Sequence, residues 1–560
     1  MKKRYLFPIL IAICACGTNN TSSSNSNTSS NSFGSSSNSS TSSSSFESSS
    51  NTSSSKPMDK YINVQNKDLE CILNEDRTGF IIYKYKKYDK YIRLPETFSG
   101  LFSHVYENET TGVSLDIYSG NQIHAEDVIT LPIIGIMDKA FMSSGGVEDI
   151  IIPDSYIEFK HDAFFGCTSI KNYLVSDSHS LYKSIDGVLY TKDELSLFAF
   201  PLGRKGTYNV IEGTKNVLNG SFENTNIEEV VLPESVENIE DYAFYSAKRL
   251  RTINIPSKVK EIKEYTFNTC LDLKTINFSE GLEKIGYYAF GFSSSIKNLV
   301  FPSTLEIIEG SAFESVKSIR NLVFNEGLKS IGDYAFAYNE YIETITFPST
   351  LKYIGKYAFI QNYELMELDL VEGIEVLDEG AFYYNTNLRK VNIPSTLQSI
   401  GYDCFTTGEY NPIGHGIEEY KVSEDSNYFK NVDGVVYSKD GKELVVVPTA
   451  HEFNKGSYKV LDGVERINDH AFYNCTFLKN ITLPSSLKEI GKAPFYITNL
   501  NTINYEGGVE EFKLIQTTDE VFTSDTSTNT LVVKWNYTNE NGGVSLVKCI
   551  DGDYSLIESL

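Results

Sequence analysis

The feature that most constrains this chain is a phenylalanine that returns every 23 residues, at Phe244, Phe267, Phe290, Phe313, Phe336, Phe359, Phe382 and Phe405. Its surroundings return in the same register. In the unit that starts at Phe267, apolar side chains follow at Leu273, Ile276, Phe278, Leu282 and Ile285, then Gly286, and Ala289-Phe290 closes the period. Ala-Phe recurs at Ala312-Phe313, Ala335-Phe336, Ala358-Phe359 and Ala381-Phe382, each after an Ile-Gly or its equivalent. Self-similarity at this period marks a stack of coils rather than a fold around one closed core.

Within a unit, Ile276 and Phe278 alternate with Thr275 and Asn277, the period of a strand with one buried face. Either Pro-Ser, as at Pro302-Ser303, or Glu-Gly, as at Glu280-Gly281, then turns the chain, because proline lacks a donor and glycine accepts positive φ. Leu282, Ile285 and Ala289 are spaced three and four apart, too few for a helix and broken by Gly286. They read as a bent extended or one-turn segment on the other side of the coil. Ordering the backbone costs about 1–2 kcal/mol per residue, so a lone coil with both apolar edges open does not fold; stacking covers the edges, and such arrays need caps at both ends.

A 46-residue period underlies the first: Pro256, Pro302, Pro348 and Pro394 alternate with Glu280-Gly281, Glu326-Gly327 and Glu372-Gly373. It reads as duplication of two-coil units, since no folding requirement demands the alternation.

These residues resemble the BspA-like leucine-rich repeat family, whose unit reads roughly L-x-x-I-x-I-P-x-x-L-x-x-I-G-x-x-A-F-x-x-C. The Leu-x-x-Ile strand, the Ile-Gly-x-x-Ala-Phe closure and the 23-residue length match over about residues 129–505. The resemblance implies a mostly β, leucine-rich-repeat-type solenoid at the cell surface and, in some members, adhesion to host or matrix proteins. It implies no catalytic residues.

At the amino end, Lys2, Lys3 and Arg4 precede an apolar run from Tyr5 to Ile13, the order of a secretory signal and too short to span a bilayer. Ile13-Cys14-Ala15-Cys16-Gly17 resembles a bacterial lipobox, with Cys16 the diacylated residue; Cys14 fits less well because Ile13 is bulky for cleavage. The plainer alternative is an ordinary signal with a chance cysteine. Two acyl chains would anchor the protein stably, at about 0.8 kcal/mol per buried methylene. From Thr18 to Lys56 the chain is almost wholly Ser, Asn and Thr, a composition that cannot bury a core. As a flexible tether it would span about 35 Å, from roughly 5–6 Å times the square root of its length. The expected organisation is therefore a signal peptide at 1–15, a lipidated Cys16 and tether at 16–56, an amino-terminal β cap at 57–128, a solenoid at 129–505 and a carboxyl-terminal cap at 506–560.

The period breaks twice inside the solenoid, at 176–211 and 423–460, where Asp186-Gly187-Val188-Leu189-Tyr190 and Asp433-Gly434-Val435-Val436-Tyr437 are near copies. Each reads as a β-hairpin in an enlarged coil. Asp186 and Asp433 could bind a ligand, or serve as turn chemistry. At the end, Leu531 to Trp535 and Val544 to Ile550, separated by Asn541-Gly542-Gly543, read as a hairpin over the last coil.

Little here points to catalysis. His104, His124, His161, His179, His415, His451 and His470 form no pair at metal-ligand spacing, and Asp551-Gly552-Asp553 lacks the other ligands of an EF-hand. There is no phosphate-cradling Gly-Lys-Ser loop and no Gly-x-Ser-x-Gly elbow. No enzyme activity, cofactor or metal is expected. The net charge of −25 is the opposite of a nucleic-acid footprint. Cys167, Cys270 and Cys475 share one place in their units while neighbouring coils offer Ala247 and Ser293 there, so buried free thiols are expected rather than a disulfide ladder.

Two surfaces remain for binding. Tyr242, Tyr265, Tyr288, Tyr334 and Tyr357 form a ridge that either binds sugars or proteins or stacks between coils. The outward strand residues Thr252, Asn254, Thr275, Asn277, Asn298, Val300, Asn321, Val323, Thr344 and Thr346 form a strip free of charge until Glu367, Asp369 and Lys390. On an acidic protein such sparing suggests a contact face; alternatively the Asn and Thr side chains hydrogen-bond in ladders between parallel strands. The sequence thus leaves two functions open: a lipid-anchored surface protein that recognises a host or matrix polypeptide or glycan, or an architectural spacer or coat of the bacterium's own envelope. The oligomeric state is not legible.

Overall fold

A computed structural model describes residues 60–107, 114–120, 128–142, 144–159, 162–407, 416–451, 455–517, 531–534, 544–550 and 553–557. The expected signal peptide, Cys16, the tether, His124, His161, His415 and Trp535 lie outside them. The described residues all belong to one compact unit, Asp59–Leu560. Nearly all of its regular structure is strand, and the strands stack into a solenoid of coils of about 23 residues, as the period requires.

Each coil contributes to three rows. In the coil that holds Phe290, the front strand is Thr275–Phe278, the side strand Lys284–Ile285, and the turn Tyr288-Ala289-Phe290 closes the back. Front strands pair parallel and in register, Thr252 on Thr275 and Asn254 on Asn277. Seven two-residue side strands pair without interruption from Glu261–Ile262 to Ser399–Ile400, with Ile262, Ile285, Ile308, Ile331 and Ile354 buried one beneath the next. In the turn row the Phe N–H donates to the carbonyl before the next Phe one coil on, as Phe290 to Ala312 and Phe313 to Ala335, both at 2.8 Å. The turn holds two residues per coil in the left-handed region, such as Tyr265 and Thr269 at φ +54° and +60°. Each such residue costs about 1–2 kcal/mol, offset here by the row's hydrogen bonds and packing.

Two phenylalanine columns run through the core, among buried Ile and Leu side chains. Phe244, Phe267, Phe290, Phe313, Phe336 and Phe359 stack in turn, ring centres 5.0–5.4 Å apart. A second column, Phe278, Phe301, Phe324 and Phe347, closes the front strands and meets the first edge-on, as Phe301 meets Phe313 at 5.8 Å and 79°. Its rings sit 6.1, 5.3 and 6.0 Å apart, wider than the roughly 4.7–4.9 Å spacing of paired strands. The front ladder is not continuous along this column. It runs unbroken from Thr207–Asn209 through Thr275–Phe278, is interrupted at 297–301, forms one pair between Asn321–Val323 and Thr344–Thr346, and resumes at Glu367–Asp369, where Leu370 and Ile393 replace the phenylalanines.

The alternation of Pro-Ser and Glu-Gly turns, which reads in the sequence as bare duplication, has a folding basis. The Glu280 carboxylate accepts the Ser303 N–H at 3.2 Å and its hydroxyl at 2.9 Å, and Glu326 with Ser349 and Glu372 with Ser395 repeat the arrangement. On the other face, Gly281, Gly327 and Gly373, at φ +115° to +118°, lie so close to the carbonyls of Ser257, Ser303 and Ser349 that no Cβ fits. A Glu-Gly coil therefore fits between two Pro-Ser coils.

Both enlarged coils are three-stranded meanders. Tyr182–Ile185 turns at Asp186-Gly187 into Val188–Thr191 and then Ser196–Ala199, and Phe429–Val432, Val435–Ser438 and Glu443–Val446 repeat it. Asp186-Gly187 and Asp433-Gly434 have positive φ at both residues, the type I′ geometry of a two-residue hairpin, so turn chemistry accounts for both aspartates. The third strand of each rejoins the side ladder, Ser196 on Asn216 and Glu443 on Arg466.

Toward the amino end a separate parallel ladder joins Ile62–Asn63, Tyr91–Arg93, Asp149–Ile151 and Asn172–Leu174, beside a mixed sheet that includes Phe80–Tyr85 and Thr97–Glu107. At the carboxyl end Leu531–Lys534 pairs parallel to Thr502–Tyr505 and antiparallel to Val544–Ile550, and a further strand, Asp553–Ile557, follows. Among the described residues no helix is long and apolar enough to cross a membrane.

Candidate functional site

The front ladder sets the outward strip, because Cβ alternation buries Ile253, Ile276, Leu322 and Leu368 and turns their neighbours to solvent. Thr275, Asn277, Asn298, Asn321, Thr344 and Thr346 are exposed, and Thr252 and Asn254 are half-buried. Strand pairing places Thr252 beside Thr275, Asn254 beside Asn277, and Asn321 beside Thr344. Part of the strip is a ladder: Thr344 donates to Asn321 Oδ1 at 2.7 Å, and the Asn254 amide both donates to and accepts from the Leu232 backbone, at 2.8 and 3.0 Å. Asn277 and Asn298 have no such bond among those of the described residues. The interruption at 297–301 leaves Val300 76% exposed, and Val323 on the next coil is 52% exposed.

At this break Lys297, Asn298, Lys317, Arg320, Asn321 and Tyr341 border a shallow depression of about 370 Å³. Lys317 pairs with Glu340 at 2.8 Å and Arg320 with Glu343, while the Arg320 guanidinium lies 5.9 Å from the Tyr341 ring. Sequence reasoning found Asn298 and Asn321 by their alternation. It missed Lys297, Lys317, Arg320 and Tyr341, which precede their strands and come together only across coils.

The tyrosine ridge is occupied by its own stacking. Tyr242, Tyr265 and Tyr288 stack at 5.0 and 5.2 Å, and Tyr334 stacks on Tyr357 at 5.3 Å. Ser311 breaks the run, and Tyr288 turns to Phe292 at 6.1 Å. Burial and a hydrogen bond to Glu379 hold the Tyr357 phenol above its usual range.

Cys71, Cys167, Cys270, Cys404 and Cys475 are buried free thiols. Burial pushes the Cys167 thiol up to about 12, so it is not a nucleophile at neutral pH. In several coils the position three after the Phe serves instead as a bracket that donates to the Phe carbonyl of the preceding coil: Cys270 to Phe244 at 3.2 Å, Ser293 to Phe267 at 2.7 Å and Asn339 to Phe313 at 2.8 Å. Among the described residues no three His, Cys, Asp or Glu side chains are grouped to hold a metal ion.

Comparison with known proteins agrees with the geometry. The family described as "BspA type Leucine rich repeat region" matches in six copies, over residues 129–201, 215–317, 283–411 and 452–541. No curated protein matches the chain in sequence. Among solved structures it is similar to a leucine-rich repeat protein from Bacteroides ovatus ATCC 8483, with 18% identity and a TM-score of 0.45, covering 82% of this chain and 98% of that one. It is also similar to a leucine rich cell surface protein from Faecalibacterium prausnitzii A2-165, with 18% identity and a TM-score of 0.35, covering 81% and 97%.

Proposed function

The chain belongs to the BspA type leucine-rich repeat family, and on that premise we propose that it is a surface recognition protein that binds a polypeptide or glycan along the front strip, tethered to the bacterial membrane by a lipid on Cys16. The observation that carries the binding reading is the uncharged exposed row Asn277, Asn298, Asn321 and Thr346, together with the open backbone at 297–301 in its middle. Parallel strands use up their N–H and C=O groups on each other; a coil that drops out of the ladder leaves such groups for an incoming chain or sugar. Solenoids commonly present their binding surface in this extended form. Adhesion to host or matrix material is the role that fits an exported, strongly acidic rod, and coating of the bacterium's own envelope is the alternative outcome of the test.

The test is capture of matrix proteins, a glycan array and the bacterium's own purified envelope by the full-length protein and by a variant carrying Asn277→Lys, Asn298→Lys and Asn321→Lys. Loss of capture with thermal unfolding nearly unchanged is the expected result. Retained capture by the folded variant would move the site off the strip, and capture of self envelope alone would favour the architectural role. For the anchor, Cys16→Ala should shift the protein from the detergent phase to the medium or leave it uncleaved; a processed chain still in the detergent phase would refute lipidation there.

A further inference from the structure

The segments that lead into the front strands reverse the charge of the molecule. Over four successive coils, at 248–255, 271–278, 294–301 and 317–324, they hold seven basic residues and a single acid, Asp272, on a chain whose net charge is −25. The same segment holds Glu228 and Glu229 in the coil before, and Glu340 and Glu343 in the coil after. The basic patch is therefore four coils long, roughly 14–15 Å at the spacing of paired strands, and acidic at both ends. Its spine is one residue per coil, Arg251, Lys274, Lys297 and Arg320, each directly before the first outward residue of the strip.

The ends of the patch are neutralised and its middle is not. Arg251 pairs with Glu228 at 3.1 Å, Arg320 with Glu343, and Lys317 with Glu340 at 2.8 Å. Lys248, Arg249, Lys274 and Lys297 are exposed and make no ion pair among the described residues. The Lys274 N–H donates to the Arg251 carbonyl at 3.0 Å, so like charges stand side by side on adjacent coils, an arrangement that destabilises a ladder. Elsewhere on the rod a lysine meets a glutamate one coil away, as Lys263 meets Glu240, Lys284 Glu261, Lys329 Glu306 and Lys352 Glu375. The fold gains nothing from leaving the middle of this column bare. The bare column also adjoins the break in the front ladder: Lys297, Lys317, Arg320 and Tyr341 border one depression with Asn298 and Asn321.

We propose that the ligand of the front strip is an acidic polysaccharide, a linear glycan with carboxylate or sulfate groups on its sugars, whose anions lie on Lys274 and Lys297 while its hydroxyls meet Asn277, Asn298 and Asn321. This rests on the strip being the binding face. A row of cations and a row of side-chain amides and hydroxyls run side by side over the same coils, and such a glycan presents anions and hydroxyls together on each sugar. An acidic peptide supplies the carboxylates but no hydroxyl for each amide of the strip. Tyr341 gives the C–H face of a sugar ring an aromatic surface with a polar tip. The acidic coils on either side repel a polyanion, which confines the contact to the patch.

The test is calorimetric titration of the full-length protein with hexagalacturonate, with its methyl ester, which keeps the rings and loses the charge, and with hexaglutamate. The wild type should bind the acid at least tenfold more tightly than the ester or the peptide, and added salt should weaken it. Lys274→Gln with Lys297→Gln should weaken the acid at least tenfold, leave the ester unchanged and leave melting unchanged. Lys329→Gln with Lys352→Gln, the same loss of charge on the side ladder, should bind like the wild type. Asn277→Ala with Asn298→Ala and Asn321→Ala, which removes the amides without adding charge, should weaken acid and ester alike. Equal affinity for acid and ester, equal or tighter binding of hexaglutamate, no binding of the acid by the wild type, or full binding by the Lys274 and Lys297 variant would each overturn the acidic glycan and leave the strip itself to the capture experiment. Full binding by the alanine variant would instead remove the strip from the site, and this proposal with it.

Discussion

The regular coils between Phe244 and Phe405 and the two enlarged coils meet the same problem, how to close one turn of chain against the next, in opposite ways. A regular coil closes with an Ala-Phe turn whose ring stacks on both neighbours and whose N–H is bonded one coil on. An enlarged coil closes with a hairpin and leaves the turn out. The regular solution repeats because every group in it is satisfied by its own copy. The enlarged one cannot repeat, and each of the two leaves a notch in the turn row beside it. In this solenoid uniformity gives length and departures from uniformity give distinct surfaces.

The largest effect that separates the two should come from the phenylalanine column. Phe313→Ala removes a ring stacked on Phe290 and Phe336 and edge-on to Phe301, at a cost of about 3–5 kcal/mol. Because each coil contacts only its neighbours, hydrogen exchange should rise around the coils of Phe290, Phe313 and Phe336 and stay unchanged beyond the enlarged coils. A uniform rise along the rod would mean that the coils are not independent units.

Glycines at equivalent turns should divide along the same line. Gly327 sits at φ +118° against the Ser303 carbonyl, whereas Gly213 and Gly463, on the coils that follow the enlarged ones, have φ near +93° and nothing within 4 Å of an added Cβ. Gly327→Ala should therefore cost clearly more than Gly213→Ala, which pays only backbone strain of about 1–3 kcal/mol. Equal melting shifts for the two would refute the close-packing account of the alternating turns.

Acid should act more selectively still. In the first enlarged coil the buried His179 Nδ1 accepts the N–H groups of Leu181 and Tyr182, both at 3.2 Å, and burial lowers its pKa below the ordinary 6.5 against a partial opposing pull from Asp154. A base with a depressed folded pKa contributes stability that is fully present above about pH 6.5 and is lost as pH falls below it. In the second enlarged coil Ser426 Oγ accepts the same pair of N–H groups, from Tyr428 at 3.3 Å and Phe429 at 3.1 Å, with nothing to titrate. Lowering the pH from 7 to 5 should thus reduce the protection factors of Leu181 and Tyr182 more than those of Tyr428 and Phe429, and His179→Ser should remove the difference. His451, half-buried in the second coil, also has a lowered pKa, so the comparison holds at those four amides and not for the two coils as wholes.

The legibility of each feature in the sequence depends on where its signal lies. The coil, its strand and the Ala-Phe closure were readable because each inward side chain meets its own copy one period away. The meanders were readable because Asp-Gly between apolar runs has a local meaning. The interrupted front ladder was not, because the coil at 297–301 keeps the apolar alternation of its neighbours, with Leu299 and Phe301 buried, and nothing in its own pattern marks it as unpaired. Glu280 with Ser303, which reads as duplication, is a bond between coils 23 residues apart. The notches beside the enlarged coils were hidden for a different reason: each is made by a turn that is missing, and an absent turn carries no pattern.

The smallest expected effect concerns the bracket position, where the regular coils hold Ala, Cys, Ser, Val and Asn. Cys270 and Ser293 donate to equivalent carbonyls one coil apart, at 3.2 and 2.7 Å, and Asn339 does so at 2.8 Å, while Ala247 offers no donor at all. What the position requires is a small side chain with an optional donor, since one net hydrogen bond is worth about 0.5–1.5 kcal/mol. Cys270→Ser keeps the donor and nearly the volume, so it should change stability by less than about 1 kcal/mol. Cys404 occupies the place of the alanine beside a turn-row phenylalanine, at the edge of the second notch, where its carbonyl accepts the Phe382 N–H at 2.8 Å and its side chain is buried against the core. There the contrast is one of volume: Cys404→Ala should be nearly neutral as well, because the regular coils from Ala289 to Ala381 have Ala at that place. Melting curves that show Cys404→Ala costing several times more than Cys270→Ser would mean that the wall of an enlarged coil is packed to a tighter tolerance than the regular array, and that the departures from uniformity are as closely fitted as the repeat itself.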